Sequence, residues 1–462
     1  MGVNTASPAY LGWLGIMRLG LVQTSLGAIV VLMTSTFNRV MVVELALPAV
    51  LPGLLVGLHY GVQILRPRLG YGSDMGGRRT PWIIGGMFVL AAGGIGAALA
   101  TALMAAYPLG GLLLAIVAFT LIGVGVGASG TSLLVLLASR VAPDRRAAAA
   151  TITWVMMIAG FVVTTTIAGH LLDPFSGTRL VMVSTGVCVI AVAVTLLAVW
   201  RMEPPRVASP ADPATATAAG EPVDAARRPT FMHALGEVWR EPEARRFTLF
   251  VFLSMLAFSM HELIIEPFAG LVFGYTPGES TRLAGMQHGG VLVGMITVAL
   301  ACSPLARGRL GSLRGWMIGG CIASAAALLL LATAAFVGTG WPLRASVFAL
   351  GCANGAFAVA AIASMMSLVA KGRARREGVR MGMWGAAQAI AFGVGGLLGT
   401  IAFDATRALL GTPVTAFATV FTAEAALFIA AAVLGARLSR ASSFPRPHPV
   451  VAPVAGPQPA HR

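Results

Sequence analysis

The sequence predicts an all-α membrane protein with about twelve transmembrane helices, because of its composition, its long apolar segments and the placement of its arginines. Of its 462 residues, 57% are hydrophobic and only 11% are charged, and the mean hydropathy is +0.84. Soluble globular chains carry about 25% charged residues. Too little polar surface remains here to coat a water-soluble particle, so we expect lipid to solvate much of the chain.

Apolar segments long enough to cross a bilayer, which takes about 20 residues in a helix, occur in two groups. The first group comprises 13–37, 45–65, 81–104, 110–136, 147–171 and 179–200. The second group comprises 247–270, 282–304, 315–337, 343–369, 381–404 and 413–436. The chain is therefore expected to form two sets of six helices.

The segment between the two groups has the composition of a linker, with many prolines among Ala, Thr and charged residues. We expect an N-terminal six-helix half at 1–200, a cytoplasmic linker at 201–246 and a C-terminal six-helix half at 247–437. The last part of the linker, 231–246, is compatible with a short amphipathic helix on the membrane surface. The Pro-rich tail, 438–462, is expected to be disordered and cytoplasmic.

Most of the 32 Lys and Arg residues fall in the linker, the tail and the loops on one side of the predicted bundle. By the positive-inside rule that side is the cytoplasm, so we expect both termini there and the protein in a bacterial inner membrane. The net charge of +15 does not indicate a nucleic-acid partner, because the arginines form no basic face. Membrane lipid is the expected partner of this charge.

Six spans, a long basic loop and six further spans indicate an internal duplication, which is the arrangement of major-facilitator transporters. The loop between the second and third spans resembles the loop signature of those proteins. The residues that carry this resemblance are Gly70, Asp74, Gly77, Arg78 and Arg79. It implies a conformational loop in which Asp74 pairs with an arginine or caps a helix, although Met75 replaces the usual basic residue. The alternative is a loop that only sets the topology.

Two polar blocks are more distinctive than the loop. The first block, 36–45, contains Asn38, Arg39 and Glu44 and is expected to join the first two spans at the outer side of the membrane. The second block, 261–274, ends the seventh span on the same side. We expect the two blocks to lie at one level of the bundle.

The second block places two carboxylates inside a span, where each costs a few kcal/mol unless it is paired or hydrated. Glu262 and Glu266 are four residues apart and are expected to share one helix face, and Pro267 is expected to disrupt the helix just beyond them. We therefore expect Arg39 to pair across the two halves with Glu266 or Glu262 and to close the outer face. The alternative is that both carboxylates lie shallow enough to reach interfacial water.

The blocks at 36–45 and 261–274 resemble those of the PucC family, and the short loop at 70–82 resembles one branch of it. PucC proteins are major-facilitator-like proteins of phototrophic bacteria, associated with assembly of light-harvesting complexes and delivery of (bacterio)chlorophyll. The branch with the short loop is associated with late bacteriochlorophyll synthesis and has been labelled a bacteriochlorophyll synthase chain. The resemblance implies an inner or intracytoplasmic photosynthetic membrane. It implies as candidate partners bacteriochlorophyll synthase and light-harvesting or reaction-centre apoproteins.

A magnesium tetrapyrrole as cargo would give the histidines a role, since imidazole is a natural axial ligand of its metal. His59 and His261, each inside a predicted span, are favoured over His170 and His288. The alternative for each is a hydrogen-bonded residue of the bundle. We expect no tightly bound cofactor and no metal site, with bacteriochlorophyll or a precursor as the cargo.

Two functions stay open. The first is a non-enzymatic carrier or assembly factor that binds or delivers (bacterio)chlorophyll to light-harvesting or reaction-centre complexes. No catalytic residues are expected, because prenyl transfer to a chlorophyllide needs an Asp-rich magnesium-diphosphate site and the sequence has no D-x-x-x-D cluster. The second is a secondary transporter of a small solute, coupled to protons through Glu262 or Glu266. The candidate cargo or coupling residues are Asn38, Arg39, Glu44, His59, His261, Glu262 and Glu266.

Overall fold

The chain folds into a bundle of membrane helices. The computed structural model describes residues 10–63, 78–142, 145–203, 239–302, 312–371 and 377–438. The helices of the first half are α1 (Trp13–Leu32), α2 (Val50–Val62), α3 (Thr80–Met104), α4 (Pro108–Arg140), α5 (Arg146–Leu171) and α6 (Gly177–Val199). Those of the second half are α7 (Pro242–Glu262), α8 (Ile265–Phe273), α9 (Pro277–Ala301), α10 (Leu313–Val337), α11 (Leu343–Lys371), α12 (Glu377–Leu410) and α13 (Pro413–Ala436).

Each of the twelve predicted spans contains a helix. Within the described ranges, eleven helical segments are long and apolar enough to cross a membrane, and α2 is a shorter apolar helix. Large apolar side chains such as Leu14, Leu109 and Leu197 point outward from the bundle, at 71–77% exposure. Because such a surface needs a hydrocarbon solvent, the predicted all-α membrane fold is confirmed.

The two halves repeat one packing pattern. In the first half α3 packs against α4 and α6, and α1 packs against α5 and α6. In the second half α10 packs against α11 and α13, and α7 packs against α12 and α13. Two seams join the halves, one between α5 and α9 and the other between α2 and α12. The bundle is therefore pseudo-symmetric, with α2 equivalent to α9 and α5 equivalent to α12.

Small residues allow the closest helix contacts. A Cβ atom added at Gly125 of α4 would lie 2.5 Å from the backbone nitrogen of Leu90 and 2.7 Å from the carbonyl oxygen of Gly86, both on α3. Only glycine permits this approach, which is how membrane helices gain contact area without a hydrophobic driving force between them. Gly125 therefore serves helix packing.

The first polar block lies inside the first membrane helix, which differs from its predicted place between two spans. After Leu32, α1 continues through two π-helical turns, Met33–Phe37 and Val40–Glu44. The connection to α2 follows at 45–49, where Ala46 has a φ of 50°. Sequence patterns do not register a π-helical turn, because its wider spacing depends on tertiary packing.

The linker is shorter at its end than predicted. α7 begins at Pro242, so the last five residues of the predicted linker belong to a membrane helix. Proline at the first helical position is favoured, because its missing N–H group would have no partner there in any case. The rest of the predicted linker, 204–238, and the tail from 439 lie outside the described residues.

Candidate functional site

The second polar block is a broken helix. α7 ends at Glu262 and α8 begins at Ile265, so the break lies between Glu262 and Glu266 and not just beyond both of them, as was expected. Proline has no N–H group to donate to the carbonyl four residues earlier, and its ring clashes with that carbonyl. The carbonyl concerned belongs to Leu263, which lies in the break.

Asn38 of the other half supplies the donor that Pro267 lacks. Its Nδ2 atom donates to the carbonyl oxygen of Leu263 at 2.8 Å, and its side chain is buried at 1% exposure. A buried carbonyl without a donor costs about 1–3 kcal/mol. Asn38 therefore stabilises the break and joins α1 to the second half.

Arg39 also reaches the second half, but by a contact other than the predicted one. Its guanidinium donates to the carbonyl oxygen of Tyr275 at 2.5 Å and packs against Gly270, where a Cβ would lie 3.1 Å from Nη2. Its ion pair is with Glu44 of its own helix. The expected pair with Glu266 or Glu262 is not formed.

The helix geometry explains this correction. In a π-helix, residues five apart come close to one face, which aligns Arg39 with Glu44. The break separates Glu262, at the end of α7, from Glu266, in the first turn of α8, so the two carboxylates do not share the face of one continuous helix. Glu266 is buried and lies within electrostatic reach of Arg39, whereas Glu262 is half-buried.

A carboxylate closes the seam between α5 and α9. Asp173, just after α5, accepts hydrogen bonds from Arg282 Nη1 at 2.8 Å and from Thr276 Oγ1 at 2.9 Å. Thr276 is the N-cap of α9, and Gly278 in its first turn lies so close to Asp173 that a Cβ there would clash. The interaction combines an ion pair with an anion at a helix N-terminus.

The other seam is closed in the equivalent way. Asp404 of α12 accepts from the backbone N–H of Ala49 at 3.1 Å and from that of Val50 at 2.7 Å. These groups form the N-terminus of α2, where backbone donors have no partner within the helix. Asp173 and Asp404 thus hold pseudo-equivalent helix N-termini across the two seams, and sequence reasoning missed both.

We call the end of the bundle that contains Glu44, Tyr275, Asp173 and Asp404 the closed end. The opposite end, where α1 begins and α13 ends, is the terminal end. Between Thr36 of α1 and Thr281 of α9 a further buried contact joins the halves, with the hydroxyl oxygens 3.0 Å apart.

Two polar contacts of described arginines at the terminal end each lie within one half. Arg18 donates through Nε to the carbonyl oxygen of Ala198 at 2.8 Å, and Arg314 donates to the carbonyl oxygen of Ala436. The first contact joins α1 to α6, and the second joins α10 to α13. These two contacts do not join the halves.

Glu203 caps α3 at the terminal end. Its carboxylate accepts from the backbone N–H of Arg79 at 2.9 Å and from the backbone N–H and the hydroxyl of Thr80, both at 2.8 Å. Burial by itself raises the pKa of Glu203, but these hydrogen bonds and the charge of Arg78 outweigh it, so the pKa falls below its usual 4.5. Of the predicted loop residues, Arg78 is exposed, and Gly70, Asp74 and Gly77 lie outside the described residues.

The second half contains a buried polar network around His261. His261 Nε2 lies 3.1 Å from Asn354 Nδ2, Asn354 Oδ1 accepts from the hydroxyl of Ser324 at 2.8 Å, and His261 Nδ1 lies 3.5 Å from Glu424 Oε2. All four side chains have 0% exposure. Of the four, sequence reasoning identified His261 alone. The missed signal was that Glu424 stands as a single charge between Arg407 and Arg437.

The other candidate histidines are separate from this network. His59 is buried in α2, with its Nε2 2.8 Å from Gln63 Nε2. His288 of α9 lies across a seam, with its ring edge-on to Phe161 at 4.9 Å between centroids. His170 is exposed at the end of α5. The four histidines therefore do not form one site, and the described residues contain no group of three or more His, Cys, Asp or Glu that could hold a metal ion.

An apolar cavity of about 800 Å³ opens between α9, α10 and α11. Its lining consists mainly of small and aromatic side chains, including Gly294, Gly319, Ala353, Phe348 and Trp316. The cavity can accommodate a hydrocarbon group of considerable size.

Comparison with known proteins shows the family. Residues 36–443 match the family model described as PUCC protein. The chain belongs to the PUCC family. The recognition made from blocks 36–45 and 261–274 is thereby confirmed.

Two relatives from Rhodobacter capsulatus illustrate the range of the family. The chain is 54% identical over 427 residues to a protein named "Bacteriochlorophyll synthase 44.5 kDa chain", covering 92% of this chain and 95% of the relative. It is 29% identical over 436 residues to "Protein PucC", covering 90% of each. The family thus places the chain among membrane proteins of photosynthetic pigment-complex assembly.

Solved structures show the same fold. The D-xylose-proton symporter superposes with a TM-score of 0.68 at 13% identity, covering 93% of this chain and 99% of the symporter. The peptide transporter POT superposes with a TM-score of 0.67 at 14% identity, covering 94% of this chain and 98% of the transporter. The predicted major-facilitator-like bundle is therefore confirmed, while identity this low carries no information about substrate.

Proposed function

We propose that the protein is a carrier or assembly factor that binds (bacterio)chlorophyll or a precursor and delivers it to light-harvesting or reaction-centre apoproteins. The observation that carries the proposal is the 54% identity, over nearly the whole chain, to a protein named for bacteriochlorophyll synthesis. Bacteriochlorophyll synthase and these apoproteins are the proposed partners.

The apolar cavity between α9, α10 and α11 supports an apolar cargo. Its volume of about 800 Å³ lies within the range of sites for ligands of drug size, and nearly all of its lining side chains are apolar. We propose that the hydrocarbon part of the pigment lies here. The transporter fold supports a non-enzymatic role, which is part of the same proposal.

The proposed arrangement in the membrane places both termini in the cytoplasm, with halves at 1–200 and 247–437, a linker between them and a cytoplasmic tail. It rests on the distribution of Lys and Arg. Reporter fusions after Arg228 and Arg440 should read cytoplasmic, and a fusion after Thr276 should read periplasmic. An external reading at Arg228 would overturn the orientation.

The decisive experiment for function is an absorption spectrum. The protein is purified in mild detergent from phototrophically grown cells, and we expect near-infrared pigment bands that follow the protein through size exclusion. Gly319→Leu should reduce the pigment bound, because a Cβ at Gly319 meets no atom within 4 Å and the leucine would fill the cavity.

Gly186→Leu is the matched control. A Cβ at Gly186 of α6 likewise meets no atom within 4 Å, but this residue does not line the cavity, so pigment binding should be unchanged. A colourless wild-type protein that acidifies proteoliposomes with a small solute would contradict the carrier proposal and favour the proton-coupled transporter. Equal pigment loss in both leucine variants would remove the cavity from the proposal.

A further inference from the structure

Four helices of the second half each bring one polar side chain to a fully buried cluster. α7 contributes His261, α10 Ser324, α11 Asn354 and α13 Glu424, all at 0% exposure. Buried polar groups in a membrane bundle are costly and are retained where they have a function. Neither the family match nor the solved relatives assigns one to this cluster.

The hydrogen-bonding partners of His261 define its possible protonation states. Its Nδ1 atom faces two acceptors, the carbonyl oxygen of Ala257 at 3.2 Å and Glu424 Oε2 at 3.5 Å, so Nδ1 carries a hydrogen. Its Nε2 atom faces the side-chain amide of Asn354, which offers a donor at one end and an acceptor at the other.

The Asn354 amide can therefore hydrogen-bond to neutral His261 in one orientation and to protonated His261 in the other. With Nδ2 towards Nε2, as the atoms stand, the imidazole is neutral and Ser324 donates to Oδ1. With the amide turned over, Oδ1 accepts from a protonated Nε2, and the Ser324 hydroxyl accepts from Nδ2. The chain of His261, Asn354 and Ser324 can thus gain or lose a proton without leaving any of these three side chains unpaired.

The buried negative charge of Glu424 is what favours binding of a proton at this site. Both of its carboxylate oxygens are buried without a well-formed hydrogen bond, Oε2 lies 3.5 Å from His261 Nδ1, and no described Lys or Arg forms an ion pair with it. A buried carboxylate beside a neutral imidazole leaves one net negative charge in a low-dielectric site. One added proton, on either Glu424 or His261, removes that net charge.

The neighbouring elements add few other titratable groups. Glu262 adjoins His261 on α7 and feels its charge, while Glu266 of α8 lies towards Arg39 in the other half. On α12, which packs against α7, the described titratable groups are Asp404 and Arg407, and Asp404 is bound to the N-terminus of α2. α10 and α11 contribute the neutral Ser324 and Asn354 to the cluster. The described titratable side chains of these two helices are Arg314 and the buried Cys321 on α10, and Arg344 and Cys352 on α11.

We propose that the His261–Glu424 pair is a binding site for one exchangeable proton. We also propose that the bound proton favours the conformation in which the two halves are in contact at the closed end. In the release step, the N–H bond of the imidazolium or the O–H bond of the carboxylic acid breaks, and the proton passes to water. Neutral His261 and the Glu424 carboxylate remain. Release is favourable only when water reaches the site, because the remaining net charge needs hydration.

The position of His261 links the site to the closed end. His261 lies two residues before Leu263, whose carbonyl oxygen accepts the hydrogen bond from Asn38 of the other half. Opening of the halves breaks this hydrogen bond and frees the end of α7 to move. The inference concerns the proton alone and stands whether or not the cargo is a pigment.

The first test is pH-difference infrared spectroscopy of the full chain in nanodiscs, in H2O and in D2O. In the wild type, the intensity of one infrared band should change with pH as a single titration. This band should be that of either a protonated carboxyl group or an imidazolium. Glu424→Gln should abolish that titration, and in His261→Gln the carboxyl should stay protonated across the range. Glu262→Gln and the exposed His170→Gln are controls that should keep it.

The outcomes decide the proposal. A titration unchanged in Glu424→Gln, or no titration of the wild type between about pH 5 and pH 9, would overturn it. If Glu424→Gln does not yield folded protein, Asn354→Leu replaces it, because without the amide acceptor the imidazolium is disfavoured. If the wild type titrates in the imidazolium band, a lowering of the midpoint by about one pH unit, a tenfold loss of proton affinity, is then expected, and an unshifted midpoint overturns the proposal. If the wild type titrates in the carboxyl band, an unchanged titration in His261→Gln overturns it.

The second test measures the coupling to the closed end. Spin labels at Tyr107→Cys and Leu409→Cys, both exposed residues on opposite halves at that end, report the distance between halves after the four native cysteines have been replaced. In the wild type the distance should lengthen when the pair loses its proton, and in Glu424→Gln it should not depend on pH. The same pH dependence in both proteins would refute the coupling.

Discussion

The two ends of the bundle use polar contacts in different ways. At the closed end, Asn38, Arg39, Asp173 and Asp404 bind atoms of the opposite half. At the terminal end, Glu203 and the other described capping residues bind atoms of their own half. If the halves rock against each other, the contacts at the closed end are the ones that break, and those at the terminal end are the ones that persist. Halves that stay internally rigid and separate at one end are what alternating access requires.

The closing contacts also share a chemical form. Three of them place a side chain on backbone groups left without partners: the Leu263 carbonyl at the helix break, the Tyr275 carbonyl beyond α8 and the N–H groups of α2. Hydrogen bonds to charged groups contribute about 1.5–3 kcal/mol each and neutral ones about 1 kcal/mol. Closure is therefore a sum of several moderate terms, and loss of one term weakens it without abolishing it.

Arg39→Met should have the largest effect on the closed end. The side chain is buried at 2% exposure, and its loss removes a charged hydrogen bond and leaves the Tyr275 carbonyl unpaired, which we expect to cost about 2–4 kcal/mol. The ion pair adds little, since the Glu44 side chain is 37% exposed. Thermal unfolding in detergent measures the loss. The control is Arg179→Met, because Arg179 is half-buried and donates to the Pro174 carbonyl oxygen within its own half.

Exchange of charges between Arg39 and a carboxylate tests which carboxylate is its ion-pair partner. Arg39→Glu with Glu44→Arg should recover more membrane abundance than Arg39→Glu with Glu266→Arg, because Glu44 is the ion-pair partner that the structure shows. Better recovery with Glu266 would reinstate the cross-half ion pair expected from the sequence.

Asp404→Asn and Asp173→Asn should each cost about 1 kcal/mol, the usual contribution of an anion or cap at a helix N-terminus. The double variant should also lengthen the distance between spin labels at the closed end, since both seams lose a contact. Glu279→Gln is the control: Glu279 completes the capping box of α9 within its own half. It should lower stability to a similar extent without changing the distance, and an equal change in distance would show that these carboxylates do not act as cross-half contacts.

Asn38→Leu should cost about 1–3 kcal/mol by leaving the Leu263 carbonyl without a donor. The cost should shrink in a Pro267→Ala background, because alanine restores an N–H group that can bond this carbonyl when α7 and α8 join. A double-mutant cycle on unfolding free energies should therefore give a coupling of about 1 kcal/mol. Additive costs would mean that Pro267 is not the reason for the Asn38 contact.

The sequence predicted the bundle well because apolar length and charge asymmetry are strong signals in a membrane protein. On the first half it also singled out Asn38, Arg39 and Glu44 of the closed end, but it missed Asp173. It failed on their partners, since carbonyl groups of Leu263 and Tyr275 have no side-chain signature. Contacts of side chains with backbone depend on where a helix breaks, and that is decided by packing.

The buried network was missed for a different reason. Ser324, Asn354 and Glu424 stand alone in three apolar segments, more than twenty residues apart from one another and from His261. Each resembles an isolated polar residue of a span, and only the packing of α7, α10, α11 and α13 brings them together. A single carboxylate in an otherwise apolar span is the signal that could have identified the site.

Glu203→Gln should have the smallest effect, because it removes a contact inside one half at the terminal end. The pKa of Glu203 lies below its usual 4.5 in the folded protein, so its stabilising effect is fully present above that value and is lost as pH falls through the lower, folded-state pKa. Since the side chain is only partly buried, we expect less than about 1 kcal/mol. The wild type should therefore lose stability in the acid range, and Glu203→Gln should lose less. The distance between the halves should be the same in both proteins, above the usual pKa and in the acid range. A pH-independent difference between the two proteins would show that the Glu203 charge does not hold the N-terminus of α3, and a changed distance would place Glu203 among the contacts that move the halves.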